Sequence, residues 1–386
     1  MKILFVTGSL VHGGAERHAI TLANRLAERG HECHFAYVKD DRSQLARLRL
    51  GPRGSAECLW ASGYLDFDAL FRLKNLFVKK QPTVVFAVNQ YALLYATLAG
   101  RWAGRRVPLV TVLHSTLYRN VKERLQFLAY RPFFWTADQA VFVCEAQRRH
   151  WMRQQVFGRA NAVIYNGVDL EYWKPCGPAE RRSVRAALGF AEEDYVVGLS
   201  AVLRPEKNPL QLVEAAAMLR RRNVRARVLM IGDGPLRGEV EAAARRLGVG
   251  ADVSITGFQQ DVRPFLHACD AIALTSFTEA FSLAAIEAMA LARPVVHSEV
   301  GGAAEMIRPG RNGFLFPVGD TAALVERLGQ LAVEDTRGRM GARAREAVEA
   351  QFSERAMVDR YEQMLLGLEK GNGKHNENLR RTAGAH

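Results

Sequence analysis

The sequence predicts an α/β chain built from two doubly wound, Rossmann-like domains. Three observations carry this. Short runs of Val, Ile, Leu and Phe alternate with amphipathic segments of helical period over residues 1–170, and again over 190–350. Such near-continuous apolar strands belong to parallel sheets covered by helices on both faces. A chain of 386 residues also exceeds what one core ordinarily organises. Between the two runs, Pro175-Cys176-Gly177-Pro178 reads as a linker.

In the first domain, 1–175, strands are expected at 3–7, 32–38, 83–88, 109–113, 140–144 and 162–165. Helices are expected at 15–29, 67–79, 92–103, 121–130 and 145–156. The turn after the first strand holds Gly13-Gly14, but not the G-x-G-x-x-G of dinucleotide-dependent dehydrogenases. His114 ends the fourth strand, at the sheet edge where ligands bind in open α/β sheets. A lone histidine there is either a site residue or a structural one. Asn166-Gly167-Val168-Asp169 is a turn signal near the end of this domain.

In the second domain, 190–350, strands are expected at 196–201, 226–231, 253–256, 270–274, 295–297 and 313–316. Arg204 and Lys207 lie in the loop after its first strand, with Asn208 as the expected N-cap of the next helix and Pro209 at its first turn. The stretch that carries most chemistry is Thr275 to Glu287. It reads as a strand end, a loop with Glu279, and a helix over 281–292. The free N–H groups at Phe281, Ser282 and Leu283 suit a phosphate. Glu287 lies two turns in, ~9 Å along the axis at ~1.5 Å per residue. Carboxylates accept hydroxyl hydrogen bonds, so a phosphate flanked by Glu279 and Glu287 describes a nucleotide-sugar site. Two glutamates at this spacing also occur on solvated helix faces.

Glu279 and Glu287 have seven residues between them. With Thr275-Ser276 before them, Glu287-Ala288-Met289-Ala290 and Pro294-Val295-Val296 after, and Gly301-Gly302-Ala303-Ala304-Glu305, they resemble the E-x7-E motif of family 4 retaining glycosyltransferases of the GT-B fold. The resemblance implies two Rossmann-like domains facing across a cleft. The first would bind the acceptor and the second the donor, and a helix at 352–369 would cross back to the first domain. It implies an Arg and a Lys at Arg204 and Lys207 that neutralise the diphosphate, and a sugar-binding Glu279. It implies a ribose-binding Glu287, a His114 near the anomeric carbon, a Gly13-Gly14 loop against the donor, and Asn166 beside the cleft. The chain departs from the family where glycine is usual, at Ala280, Ser282 and Ala292, and where proline is usual, at Ala284. The activity implied is transfer from a nucleotide-diphosphate sugar, UDP-sugar favoured, to a sugar, glycan or lipid-linked acceptor in polysaccharide, lipopolysaccharide or glycolipid synthesis. Competing readings are a nucleotide-sugar epimerase of the same fold and a non-catalytic nucleotide-sugar-binding protein.

The composition, 48% hydrophobic and 24% charged, is that of a soluble globular protein. No apolar run reaches the roughly 18 residues of a membrane span, and Met1-Lys2 leads directly into a strand, so a cytoplasmic protein is expected. Five scattered cysteines, an odd number without a C-x-x-C pair, fit reduced thiols. No His/Cys cluster points to a metal, and no cofactor is expected. The net charge of +13 suits an anionic partner. Residues 101–159 carry 11 Arg and Lys against 3 acids. Aromatics interleave with basic residues over 118–135, which fits either an anionic membrane surface at the inner face or a core helix with solvated charges. Neither zinc-finger spacing nor an RNP motif supports nucleic acid. The polar stretch 370–386 is expected to be a disordered tail.

Overall fold

The computed structural model of the chain describes residues 1–11, 13–114 and 121–383, with the backbone alone at 121–124 and 372–383. It divides into two compact units: Met1–Tyr165 together with the chain from Ala356 on, and Asn166–Arg355.

The first unit is a seven-stranded parallel sheet of β1 (Lys2–Thr7), β2 (Glu32–Tyr37), β3 (Ser55–Cys58), β4 (Val84–Val88), β5 (Leu109–Leu113), β6 (Gln139–Phe142) and β7 (Ala160–Val163). The order is β3-β2-β1-β4-β5-β6-β7. Its helices are α1 (Gly14–Glu28), α2 (Phe67–Lys80), α3 (Asn89–Trp102), α4 (Val121–Thr136) and α5 (Glu145–Arg153). The order reverses between β1 and β4, so the loops after these strands open a crevice at the carboxyl edge. Strand β3 was not expected. It is an edge strand with no fully buried residue, so it carries no apolar run to read.

Helix α4 continues to Thr136, through Pro132, where the sequence suggested an end at 130. Phe127, Tyr130 and Phe134 are buried, and Phe127 stacks on Trp151 with centroids 4.5 Å apart. Leu125, Leu128 and Trp135 are exposed. Of the basic–aromatic stretch 118–135, residues 118–120 lie outside the described residues.

The second unit holds β8 (Tyr195–Ser200), β9 (Ala226–Ile231), β10 (Val253–Ile255), β11 (Ala271–Leu274), β12 (Val295–Ser298) and β13 (Gly313–Phe316). These form a parallel sheet in the order β10-β9-β8-β11-β12-β13. Its helices are α6 (Pro178–Ala187), α7 (Pro209–Arg221), α8 (Arg237–Arg246), α9 (Arg263–Ala268), α10 (Leu283–Ala290), α11 (Ala303–Met306), α12 (Thr321–Leu331) and α13 (Glu334–Gln351). Here the order reverses between the neighbours β8 and β11. The loops bearing Lys207 and Glu279 follow those two strands and therefore share one edge.

Asp270, just before β11, is 4% exposed and ties this unit together. It accepts from Arg185 at 2.6 Å, Arg181 at 2.7 Å and the Val196 N–H at 2.8 Å. Arg185, itself buried, also donates to four backbone carbonyls, those of Ala191, Glu192, Asp194 and Ala268.

The unit begins at Asn166, earlier than the boundary read at 175. The Val168 N–H donates to Phe352 O at 2.9 Å, and the Glu354 N–H donates to Val168 O at 2.9 Å. A Cβ at Gly167 would meet Ser353 O at 2.5 Å, so only glycine fits between these chains.

A last helix, α14 (Glu354–Ala383), enters the first unit from Ala356. Tyr361 is fully buried there, edge-on to His18 at 5.4 Å and Phe86 at 5.7 Å. Glu362 receives Arg29 and His31, each at 2.6 Å. The backbone stays helical to Ala383, where a tail without structure was expected from 370. The stretch contains no proline, and its Glu, Lys, Leu and Arg are helix formers, so polarity alone did not decide against a helix.

Candidate active site

In the second unit, the strand-end residue Thr275 staples the neighbouring loop. Its hydroxyl lies 2.9 Å from each of the Lys207 and Asn208 carbonyl oxygens, and the Phe277 N–H donates to Glu206 O at 2.9 Å. These bonds hold Pro205–Lys207 as a tight 3-10 turn beside the loop of Glu279. The Lys207 ammonium donates to Glu279 Oε2, closing an ion pair between the two loops. Arg204 precedes the turn and is exposed.

Asn208 does not cap α7 with its side chain. It sits in the left-handed region at φ 47°, and its amide donates to Gln211 Oε1 at 3.0 Å. The tight turn must reverse before the helix starts, and asparagine tolerates that conformation.

Glycines set the other wall of the Glu279 loop. A Cβ on Gly301, at φ +53°, would run into the carbonyls of Glu279 and Ala280. The Gly302 N–H donates to Ala280 O at 2.8 Å. Backbone packing thus fixes Glu279 from behind.

Helix α10 starts at Leu283, two residues later than expected, and ends at Ala290. Ser282 is its N-cap, and its hydroxyl oxygen accepts from the Ala285 N–H at 3.2 Å. That leaves the hydroxyl proton free to donate, with the N–H groups of Leu283 and Ala284 at the helix mouth. Glu287 is 4% exposed and one turn in, ~6 Å along the axis rather than ~9 Å. Phe281 packs on Phe352 at 5.5 Å, anchoring the loop before the cap. Ala292, beyond the helix, sits at φ +57°, where a glycine would be unstrained.

Lys207, Glu279, Phe281, Ser282, Leu283 and Glu287 are therefore one cluster, with Arg204 on the same turn as Lys207. Asn166 is buried at the start of this unit, 4% exposed. His297, at the end of β12, was not singled out from sequence. It is fully buried, and the charged side chains acting on it are Glu279 and Lys207. Its position in Pro294-Val295-Val296-His297 gives no signal beyond that of a strand.

In the first unit, Gly13 is the N-cap of α1, and the Glu16 carboxylate folds back over it. Burial pushes the Glu16 carboxyl up. His114 follows β5, and its N–H donates to Asn89 Oδ1 at 3.0 Å. Its ring lies 4.6 Å from His18 of α1. Burial holds the His114 imidazole well below its usual range, and His18 adds to this, so the ring is neutral at pH 7. The helical phase of α1 places His18 on its buried face, a pairing with His114 that only the fold discloses.

Among the described residues no three His, Cys, Asp or Glu side chains gather as metal ligands. No helix among them is long and apolar enough to cross a membrane.

Residues 12–172 match the family described as Glycosyltransferase Family 4, and residues 180–347 match Glycosyl transferases group 1. The chain is 31% identical over 276 residues to the "Putative glycosyltransferase EpsD" of Bacillus subtilis (strain 168), covering 68% of this chain and 72% of that one. It is 26% identical over 383 residues to the N-acetyl-alpha-D-glucosaminyl L-malate synthase of Bacillus anthracis, covering 94% and 96%. Among solved structures, the Anabaena protein HepE in complex with UDP superposes with a TM-score of 0.83 at 24% identity, over 95% of this chain and 100% of that one. The two Rossmann-like domains are those of the GT-B fold, and the chain belongs to the glycosyltransferases.

Proposed function

We propose that this glycosyltransferase moves a sugar from a UDP-sugar to an acceptor hydroxyl with retention of the anomeric configuration. The observation that carries the reading is the Lys207–Glu279 pair in the loop that leads into α10, with the buried Glu287 one turn into that helix. HepE, described in complexes with UDP and with UDP-glucose, supports the choice of nucleotide.

In this reading Lys207, Arg204, the Ser282 hydroxyl and the N–H groups at Leu283 and Ala284 bind the diphosphate. The sugar hydroxyls take up Glu279, which frees Lys207 for the phosphates. Glu287 holds the ribose diol. As the sugar–phosphate bond breaks, the sugar gains oxocarbenium character and the departing diphosphate gains charge against these cations. A phosphate oxygen takes the acceptor's proton. The resemblance assigns Gly13, Gly14 and a neutral His114 to the donor sugar from the first domain, and Asn166 to the substrate site. The acceptor is a sugar, glycan or lipid-linked glycan, and a lipid-linked one suits a peripheral position at the cytoplasmic face of a membrane.

Titration calorimetry with UDP and UMP tests the diphosphate site. UDP binds at least tenfold more tightly than UMP, and Lys207→Ala removes most of that difference. Equal affinities in the wild type contradict the assignment.

Three further results are expected. Glu287→Ala raises the donor KM more than it lowers kcat, because the ribose contacts are alike in ground and transition states. Steady-state kinetics over a donor series reads this out, and a loss confined to kcat counts against the ribose role. Turnover persists in EDTA, since protein cations serve the diphosphate. Activity lost to EDTA and restored only by magnesium or manganese refutes that view. Finally, the chain floats with anionic but not neutral liposomes, and salt releases it, as about 1 kcal/mol per basic residue near the surface requires. Equal flotation with both vesicle types sinks the membrane reading of 118–135.

A further inference from the structure

His297 closes β12 at the carboxyl edge of the second sheet, in register with Leu274 of β11 and Leu315 of β13. Its Nδ1 lies 2.7 Å from the Ser298 carbonyl oxygen. A carbonyl only accepts, so Nδ1 carries the ring proton. Nε2 of the neutral ring is then an acceptor, and it is buried with no hydrogen-bond partner. Burial holds the His297 imidazole below its usual range, which keeps it neutral.

Open buried acceptors are rare and costly. Of the two charged side chains acting on the ring, ionised Glu279 has no proton to give, whereas the Lys207 ammonium has three. Glu279 takes one of these. The backbones of His297 and Lys207 are also tied together. The Ser298 hydroxyl donates to Ser276 O at 2.6 Å, and the adjoining Thr275 hydroxyl holds the Lys207 carbonyl.

We propose that His297 is a positioning residue for Lys207: its Nε2 accepts a second N–H of the ammonium, so that Lys207 keeps its place at the diphosphate once the donor sugar occupies Glu279. This rests on the nucleotide-sugar reading above. The third N–H then faces the phosphates. His297 touches neither sugar nor nucleotide.

The test is UDP titration of the wild type, His297→Leu and His297→Gln, each also made in a Lys207→Ala background. His297→Leu weakens UDP binding roughly tenfold, the scale of a lost hydrogen bond to a charged group. His297→Gln, whose side-chain carbonyl can accept, restores most of the affinity. Without Lys207, the His297 substitutions change nothing further. The inference is overturned if the Leu variant binds as the wild type does, if Gln is as weak as Leu, or if the loss persists without Lys207. A wild type that does not bind UDP overturns the nucleotide reading itself, and this inference with it.

Discussion

Glu279→Ala lowers kcat by roughly 10²–10³, the scale for losing one preorganised polar group at a developing charge. The fold survives, because Glu279 is held by its backbone. The Gly301-Gly302 turn packs on the carbonyls of residues 279 and 280, and these contacts do not involve the carboxylate. The variant also releases Lys207 from its resting partner. UDP affinity therefore holds or rises while the chemical step slows, a separation that general damage to the site does not produce. Glu279→Gln falls between, keeping an acceptor without the charge. Steady-state kinetics with circular dichroism on each variant decides the matter. A rise in KM at unchanged kcat would reverse the two ends of the donor.

Asp270→Ala destabilises the second unit by about 3–5 kcal/mol, the cost of stripping the partner from a buried charge. Asp270 gathers Arg181, Arg185 and Arg337, and its carboxylate also receives the Val196 N–H. With the carboxylate gone, Arg185 stays buried with backbone carbonyls as its remaining partners. Arg185→Met costs less charge imbalance, because Asp270 keeps two cations. Exposed pairs such as Arg25–Glu28, at 2.9 Å, are a control, expected to change stability by less than about 1 kcal/mol. Urea unfolding followed by tryptophan fluorescence and circular dichroism measures the shift. A change below about 1 kcal/mol at Asp270 would show that the network is not needed.

Most strands were legible because a strand buried on both faces has to be an apolar run, as in Val84–Val88 and Ala226–Ile231. Ser55–Cys58, half exposed at an edge, has no such constraint and could not be read. The stretch bearing Glu279 and Glu287 was legible as a strand end, a loop and a helix because consecutive residues carry all three. Its start was misplaced because Ser282, a good capping residue, was read as the second residue of the helix. Asn208 was misread for a related reason: capping and a left-handed turn draw on the same short polar side chain, and only the fold chooses between them. The domain boundary follows from backbone bonds between Val168 and residues 352–354, which no local pattern announces. His18 and His297 were hidden likewise. Each lies on a regular element among apolar neighbours, and only the register of helix and strand brings His18 against His114 and sets His297 within electrostatic reach of Glu279 and Lys207.

Sugar transfer from a UDP-sugar leaves products that can be weighed directly. Its most direct test is incubation of the purified protein with a panel of UDP-sugars, with and without a mixture of sugar and lipid-linked acceptors, followed by mass spectrometry of all products. Free UDP is expected together with a product heavier by one sugar residue, formed only when acceptor is present. A new nucleotide sugar of unchanged mass from donor alone, detected by chromatographic separation, or complete recovery of every donor across the panel, would contradict it.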